Sequence, residues 1–204
     1  MLAKKLTDLI KVYDDLKTIE ECDQIINIFE SHPERHQRYD RNTKPNFTQF
    51  NFTEYVDSGN CTEEEKAIHR DLTTVFMNAI SLYQIDCSIT DEMPPQWGIE
   101  QIRIKKYNPA SSCCDQDAIQ TADQFAEHVD VGDHNSARRY LAMFLYLNPI
   151  EGGAGQTTFP YLDLKVDPLA GRILMFPPMW MYPHAGLPVF QNPKYIVGTY
   201  CHYL

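Results

Sequence analysis

The hydrophobic repeat of this chain changes once, at Met93-Pro-Pro95, and that change divides what the two halves can become. Ahead of it, Ala67, Ile68, Leu72, Val75, Phe76, Ala79, Ile80 and Tyr83 fall on one side of a helix of about five turns, a spacing that only an α-helix turns into a continuous stripe. Thr62-Glu-Glu-Glu65 precedes the stripe with the form of a capping box. Thr18-Ile-Glu-Glu21 repeats that signal before Cys22, Ile25, Ile26 and Phe29, which predicts a helix from about Ile19 to Ser31. His32 and His36 flank Pro33 at a solvated helix exit, and His69 falls on the polar side of the longer helix.

Behind the prolines the period is two. From Gly98 to Tyr107, Ile102 and Ile104 take one face and Gln101, Arg103, Lys105 and Tyr107 the other, as in a barrel wall with an apolar back and a polar front. From Arg139 to Leu147, Leu141, Met143, Leu145 and Leu147 alternate with Tyr140, Ala142, Phe144 and Tyr146. Gln156–Phe159, Arg172–Phe176 and Tyr195–Tyr203 are further β runs bounded by Gly or Pro. The expected class is α+β, mainly β: a barrel or double-stranded β-helix (jelly roll) core with N-terminal helices outside it. One domain over 1–204 is expected, with helical support to about 95 and the β core from about 96. Gln37–Asn60 reads as a short strand or a loop, and Asn108–Gln124 as a lid or a disordered insertion.

The 204 residues carry a net charge of −10, which argues against nucleic acid as a partner and makes a neutral or basic substrate easier to accommodate. No apolar run suits a membrane span, and Lys4-Lys5 are followed by no apolar h-region, so no secretory signal is expected and the cytoplasm is the default. Six cysteines, of which only Cys113 and Cys114 are adjacent, form no Cys-x-x-Cys pair and are taken as reduced. The sequons at Asn46, Asn51 and Asn60 then read as chance.

Chemistry concentrates in Phe125-Ala-Glu-His-Val-Asp-Val131. In an extended strand His128 and Asp130 share a face, about 7 Å apart along the chain. An imidazole and a carboxylate suit a first-row divalent metal, and a third ligand completes the facial triad of non-haem Fe(II). His184, 54 positions beyond Asp130 in a Pro- and Gly-punctuated turn, is the candidate. His-x-Asp by itself is also the signature of a surface ion pair. Glu127 points away along such a strand, and Asp133 and His134 follow Gly132 into a turn, so none of the three is read as a ligand. Lys194, ten residues past His184, could anchor the far carboxylate of a dicarboxylate co-substrate.

From about Gln101 onward the chain resembles the 2-oxoglutarate/Fe(II)-dependent dioxygenases of the prolyl 4-hydroxylase-like branch. The matching pieces are Tyr107, Phe125-x-x-His128-x-Asp130, Leu145-Tyr-Leu-Asn148, Glu151-Gly-Gly153 with Thr158-Phe-Pro160, Gly171-Arg-Ile-Leu-Met-Phe176, and His184-Ala-Gly-Leu-Pro-Val189 with Lys194. The resemblance implies that His128, Asp130 and His184 bind Fe(II) and that Lys194 pairs with the distal carboxylate of 2-oxoglutarate. It makes Tyr146, Tyr107 and Tyr200 candidates for the co-substrate pocket, with ascorbate as an accessory reductant. The implied activity is hydroxylation of a C–H bond, first of a peptidyl proline, coupled to decarboxylation of 2-oxoglutarate to succinate. Trp180 and Tyr182 could flank an extended peptide. The chain departs from the family at Ser111-Ser-Cys-Cys-Asp-Gln116, which lengthens the link before His128. The alternatives are the same chemistry on a free amino acid or small metabolite, a cupin-like metal-binding barrel without oxygenase activity, and a zinc hydrolase. The oligomeric state is left open.

Overall fold

The computed structural model describes residues 5–41, 45–113 and 115–204; Met1–Lys4 and Cys114 lie outside the described residues. In chain order the strands are β1 Lys11–Tyr13, β2 Gln37–Asp40, β3 Asn46–Asn51, β4 Trp97–Ile99, β5 Arg103–Tyr107, β6 Phe125–His128, β7 Arg139–Tyr146, β8 Thr157–Phe159, β9 Leu164–Val166, β10 Ile173–Phe176, β11 His184–Gly186 and β12 Lys194–Tyr203. The helices are α1 Ile19–Ser31, α2 Phe52–Asp57, α3 Glu63–Cys87 and α4 Gln116–Thr121.

Both predicted capping boxes form. Thr18 and Thr62 accept from the backbone N–H of Glu21 and Glu65, whose carboxylates accept in return from the N–H of the two threonines. The strands make two antiparallel sheets, one ordered β1-β10-β7-β12-β5-β3-β2 with β4 beside β12, the other β6-β11-β8-β9. The alternation along β7 sorts its side chains between two cores. Leu141, Met143 and Leu145, followed by Leu147, join Phe29 of α1 and Leu72, Phe76 and Ile80 of α3. Ala142, Phe144 and Tyr146 face the smaller sheet, where they meet Phe159 and Val166. Each aliphatic or aromatic side chain so buried stabilises the fold by about 1.5–3 kcal/mol. The smaller sheet therefore closes over the polar front of the larger one, and the predicted mainly β core with external helices is the architecture found.

Several elements differ from the sequence reading. Within Gln37–Asn60, β2 and β3 pair antiparallel, and the short helix α2 follows β3. The pattern of β3 escaped a period-two reading because buried Asn46 and Gln49 stand among buried Phe47 and Phe50. Gly98–Tyr107 is two strands, broken where Glu100 donates its N–H to the Tyr200 carbonyl. The 108–124 segment contains α4, and its exit is held by Asp123, which accepts two hydrogen bonds from Arg38 and one from the Asn108 N–H. The histidines read as solvated are bound: His32 to Glu65, His36 to the Phe29 carbonyl and His69 to Thr53. Tyr182 is wholly buried, with its hydroxyl on the Leu6 carbonyl, so it cannot flank a peptide; Trp180 is 75% exposed. No described helix is long and apolar enough to cross a membrane.

Candidate active site

His184 lies in a strand, not the predicted turn, and β11 pairs with β6 so that His184 stands opposite His128. Cross-strand neighbours hold their side chains close, and the two imidazole centroids are 4.3 Å apart. β6 ends at His128, so no continuing strand carries Asp130. The chain bends there instead and turns the carboxylate inward. Asp130 Oδ1 is 3.5 Å from His128 Nε2, and Oδ2 is 3.5 Å from His184 Nε2. One ligand atom from each residue falls within 4.8 Å of the other two.

The protons can be placed from the partners. His128 Nδ1 lies 2.8 Å from the Ala126 carbonyl and His184 Nδ1 lies 3.1 Å from that of Tyr182. A carbonyl only accepts, so each Nδ1 carries hydrogen, and a neutral ring then presents a lone pair at Nε2. Burial disfavours the charged form of His184 and lowers its pKa. Burial pushes the Asp130 carboxyl up, and the Tyr200 hydroxyl, which donates to Oδ1, favours its ionised form. Three Lewis bases thus face one point, and Asp130 Oδ2 is buried there with no hydrogen-bond partner among the described residues. Buried polar atoms are rarely left so. Two imidazole nitrogens and one carboxylate are a donor set that fits Fe(II) with coordination positions to spare.

Tyr200, a candidate for the co-substrate, instead directs its hydroxyl to Asp130 Oδ1 at 2.8 Å. Its ring lies under the Arg139 guanidinium at 4.2 Å, and Arg139 is held by both oxygens of Glu100. Tyr200→Phe should therefore let the carboxylate rotate and weaken Mn(II) or Fe(II) binding about 10–100-fold, read by calorimetric titration. Unchanged metal affinity would show that the phenol does not position Asp130.

Lys194, opposite Tyr107 where β12 meets β5, is 2% exposed. Its ammonium donates to the Gly155 carbonyl at 2.7 Å and sits 4.7 Å from the Tyr107 ring centre, with no carboxylate in ion-pair reach among the described residues. Burial lowers its pKa to about 7. Gly155 has φ +65°, and a Cβ there would stand 2.7 Å from Val189 Cγ1, so a side chain would displace the carbonyl from Lys194. Tyr146 lines the same pocket and donates to Thr157 Oγ1 at 2.7 Å. Tyr107, Tyr146, Phe144 and Ile196 wall the space between the lysine and the triad.

The structure thus gathers His128, Asp130, His184, Lys194, Tyr107, Tyr146 and Tyr200 around one pocket. Glu127, Asp133 and His134 are exposed and outside it. Three contributors went unread: the Gly155 carbonyl, Thr157 and Lys105. Lys105 alone had a signal, its place between Arg103 and Tyr107 on the polar front of β5.

Residues 117–202 match the profile of the 2OG-Fe(II) oxygenase superfamily. The proteins it is similar to include prolyl hydroxylases. A protein of Acanthamoeba polyphaga mimivirus, provisionally named a prolyl 4-hydroxylase, is 30% identical over 116 residues, 50% of this chain, and the match spans 44% of that relative's length. The viral collagen prolyl hydroxylase of Paramecium bursaria Chlorella virus-1, solved with 2OG, superposes with TM-score 0.67 at 19% identity over 96% of this chain and 97% of that one. A Trichoplax adhaerens prolyl hydroxylase, solved with a hypoxia-inducible-factor oxygen-degradation-domain peptide, gives TM-score 0.71 at 16% identity over 97% of this chain and 84% of that one.

Proposed function

We propose that this chain is a 2-oxoglutarate- and Fe(II)-dependent dioxygenase that hydroxylates a peptidyl side chain, proline first among the candidates. One observation carries the reading: three unprotonated donors converge, with Asp130 Oδ2 orphaned among them, in the pocket that also buries Lys194 without a counter-ion. His128, Asp130 and His184 would hold the iron, and Lys194 would pair with the distal carboxylate of 2-oxoglutarate. With dioxygen as the oxidant, the bound iron and co-substrate would supply oxidative decarboxylation to succinate and carbon dioxide, one oxygen atom entering succinate and the other the C–H bond as hydroxyl. The chain supplies the rest. The Ala126 and Tyr182 carbonyls fix both imidazole tautomers, Tyr200 orients the carboxylate, and Phe144 and Ile196 keep water from the reacting space.

The peptide assignment is supported by the names of the similar proteins and by an open groove that reaches His128 and Asp130. We read residues 1–204 as one domain, since α1 and α3 share a core with the larger sheet. We place the enzyme in the cytoplasm, where Cys22, Cys61, Cys87 and Cys201 would stay reduced; none is in a disulfide. Incubation with Fe(II), 2-oxoglutarate and a proline-rich peptide, with and without ascorbate, should yield succinate and a peptide heavier by one oxygen atom. Absence of coupled turnover across a peptide library would remove the peptidyl claim.

A further inference from the structure

The groove that opens from the triad inverts the charge of the chain. The protein has 28 acidic and 18 basic side chains, yet Arg41, Arg103, Lys105 and Arg139 stand on the groove wall against one carboxylate, Asp130. Arg103 and Arg139 are balanced by Glu100 just outside it. Arg41 and Lys105 make no ion pair among the described residues: Arg41 lies over the Tyr39 ring and Lys105 over that of Phe47, with Nζ 5.0 Å from its centre. Lys105 lines both this groove and the pocket that holds the triad and Lys194, so it marks the junction between them. The floor there is aromatic, with Phe125 stacked on His128 at 3.6 Å and Phe47 behind it.

A cation left unpaired beside a site is a ready partner for a ligand carboxylate, and such a pair contributes chiefly to selectivity. We propose that the groove takes an acidic peptide, and that Lys105 selects an Asp or Glu side chain next to the residue to be hydroxylated. The proposal rests on the oxygenase reading of the site for the identity of the reaction, and on the groove alone for the charge preference. It reverses the expectation, drawn from the overall charge, of a neutral or basic substrate.

The test is a cycle of binding measurements. Fluorescently labelled proline peptides with Glu or isosteric Gln beside the proline are titrated with the full chain, as wild type, Lys105→Met and Lys105→Glu, in the presence of Mn(II) and 2-oxoglutarate. The wild type should favour the Glu peptide at least about tenfold. That ratio should fall to about one in Lys105→Met and invert in Lys105→Glu. Because it compares two peptides on one protein sample, partial unfolding of a variant leaves it intact. A wild-type ratio near one, or a ratio that survives Lys105→Met, overturns the proposal. So does a loss of 2-oxoglutarate affinity in Lys105→Met without change in the peptide ratio, which would assign the lysine to the co-substrate. Displacement of the peptide by an equal concentration of free glutamate overturns it in favour of a free amino acid. If the preference appears without succinate formation, the charge selection stands and the oxygenase reading falls; if succinate forms without the preference, the reverse holds.

Discussion

Asp130→Ala is expected to lower the affinity for Fe(II) or Mn(II) by more than about 100-fold and to take peptide-coupled succinate formation below detection, since even groups that only orient a ligand are worth about 10–100-fold. The variant removes the one formal negative charge among three donors, leaving two neutral imidazoles that bind a divalent cation weakly. The metal-free protein should nevertheless fold, because Oδ2 has no partner among the described residues and the loss is confined to the one hydrogen bond that Oδ1 accepts from Tyr200. Added Mn(II) should raise the melting temperature of the wild type by mass action and leave the variant where it was. A variant that keeps the Mn(II)-induced shift would show that the metal, if any, binds elsewhere.

Lys194→Met should weaken 2-oxoglutarate binding by about 30-fold or more, the range for truncating one partner of a buried charge pair, while divalent-metal affinity is kept. The same substitution should stabilise the metal-free protein. Folding lowers the lysine pKa from 10.5 to about 7, so the folded state disfavours the ammonium. That cost is complete below pH 7, shrinks between 7 and 10.5, and is gone above 10.5. The gain in stability from Lys194→Met should therefore be largest near pH 6 and fade toward pH 10 in urea titrations. A co-substrate carboxylate reverses the preference, so 2-oxoglutarate binding at pH 8 should take up protons in the wild type, and not in the variant. Calorimetry in buffers of differing ionisation heat reads that uptake; its persistence in Lys194→Met would end the role of this lysine as anchor.

Helix ends and the strands with one apolar face were legible because their causes are local. Thr18 and Thr62 with the glutamates three positions on state both capping boxes outright, and β7 reveals its two faces in its own alternation. The β2–β3 pair was not legible, since burial of Asn46 is made tolerable by partners outside its strand: its side chain accepts from the Arg41 N–H and its backbone bridges to Gln124. Tyr182 read as a surface aromatic for the same reason, as nothing near it in the chain announces that Leu6 will supply its acceptor.

The order and identity of the site's side chains, His128-x-Asp130, His184 and Lys194, belong to the sequence, as do the ordered motifs around them that carry the resemblance. Only the tertiary structure decided how they meet: β11 beside β6 puts His184 opposite His128, a bend after β6 turns Asp130 inward, and Gly155, 39 residues before Lys194, offers the carbonyl that holds its ammonium. The tilt of charge in the groove was likewise beyond the sequence, because net charge adds all side chains equally. A ligand feels only those that the fold brings to one wall, since water and salt screen the others within about 10 Å.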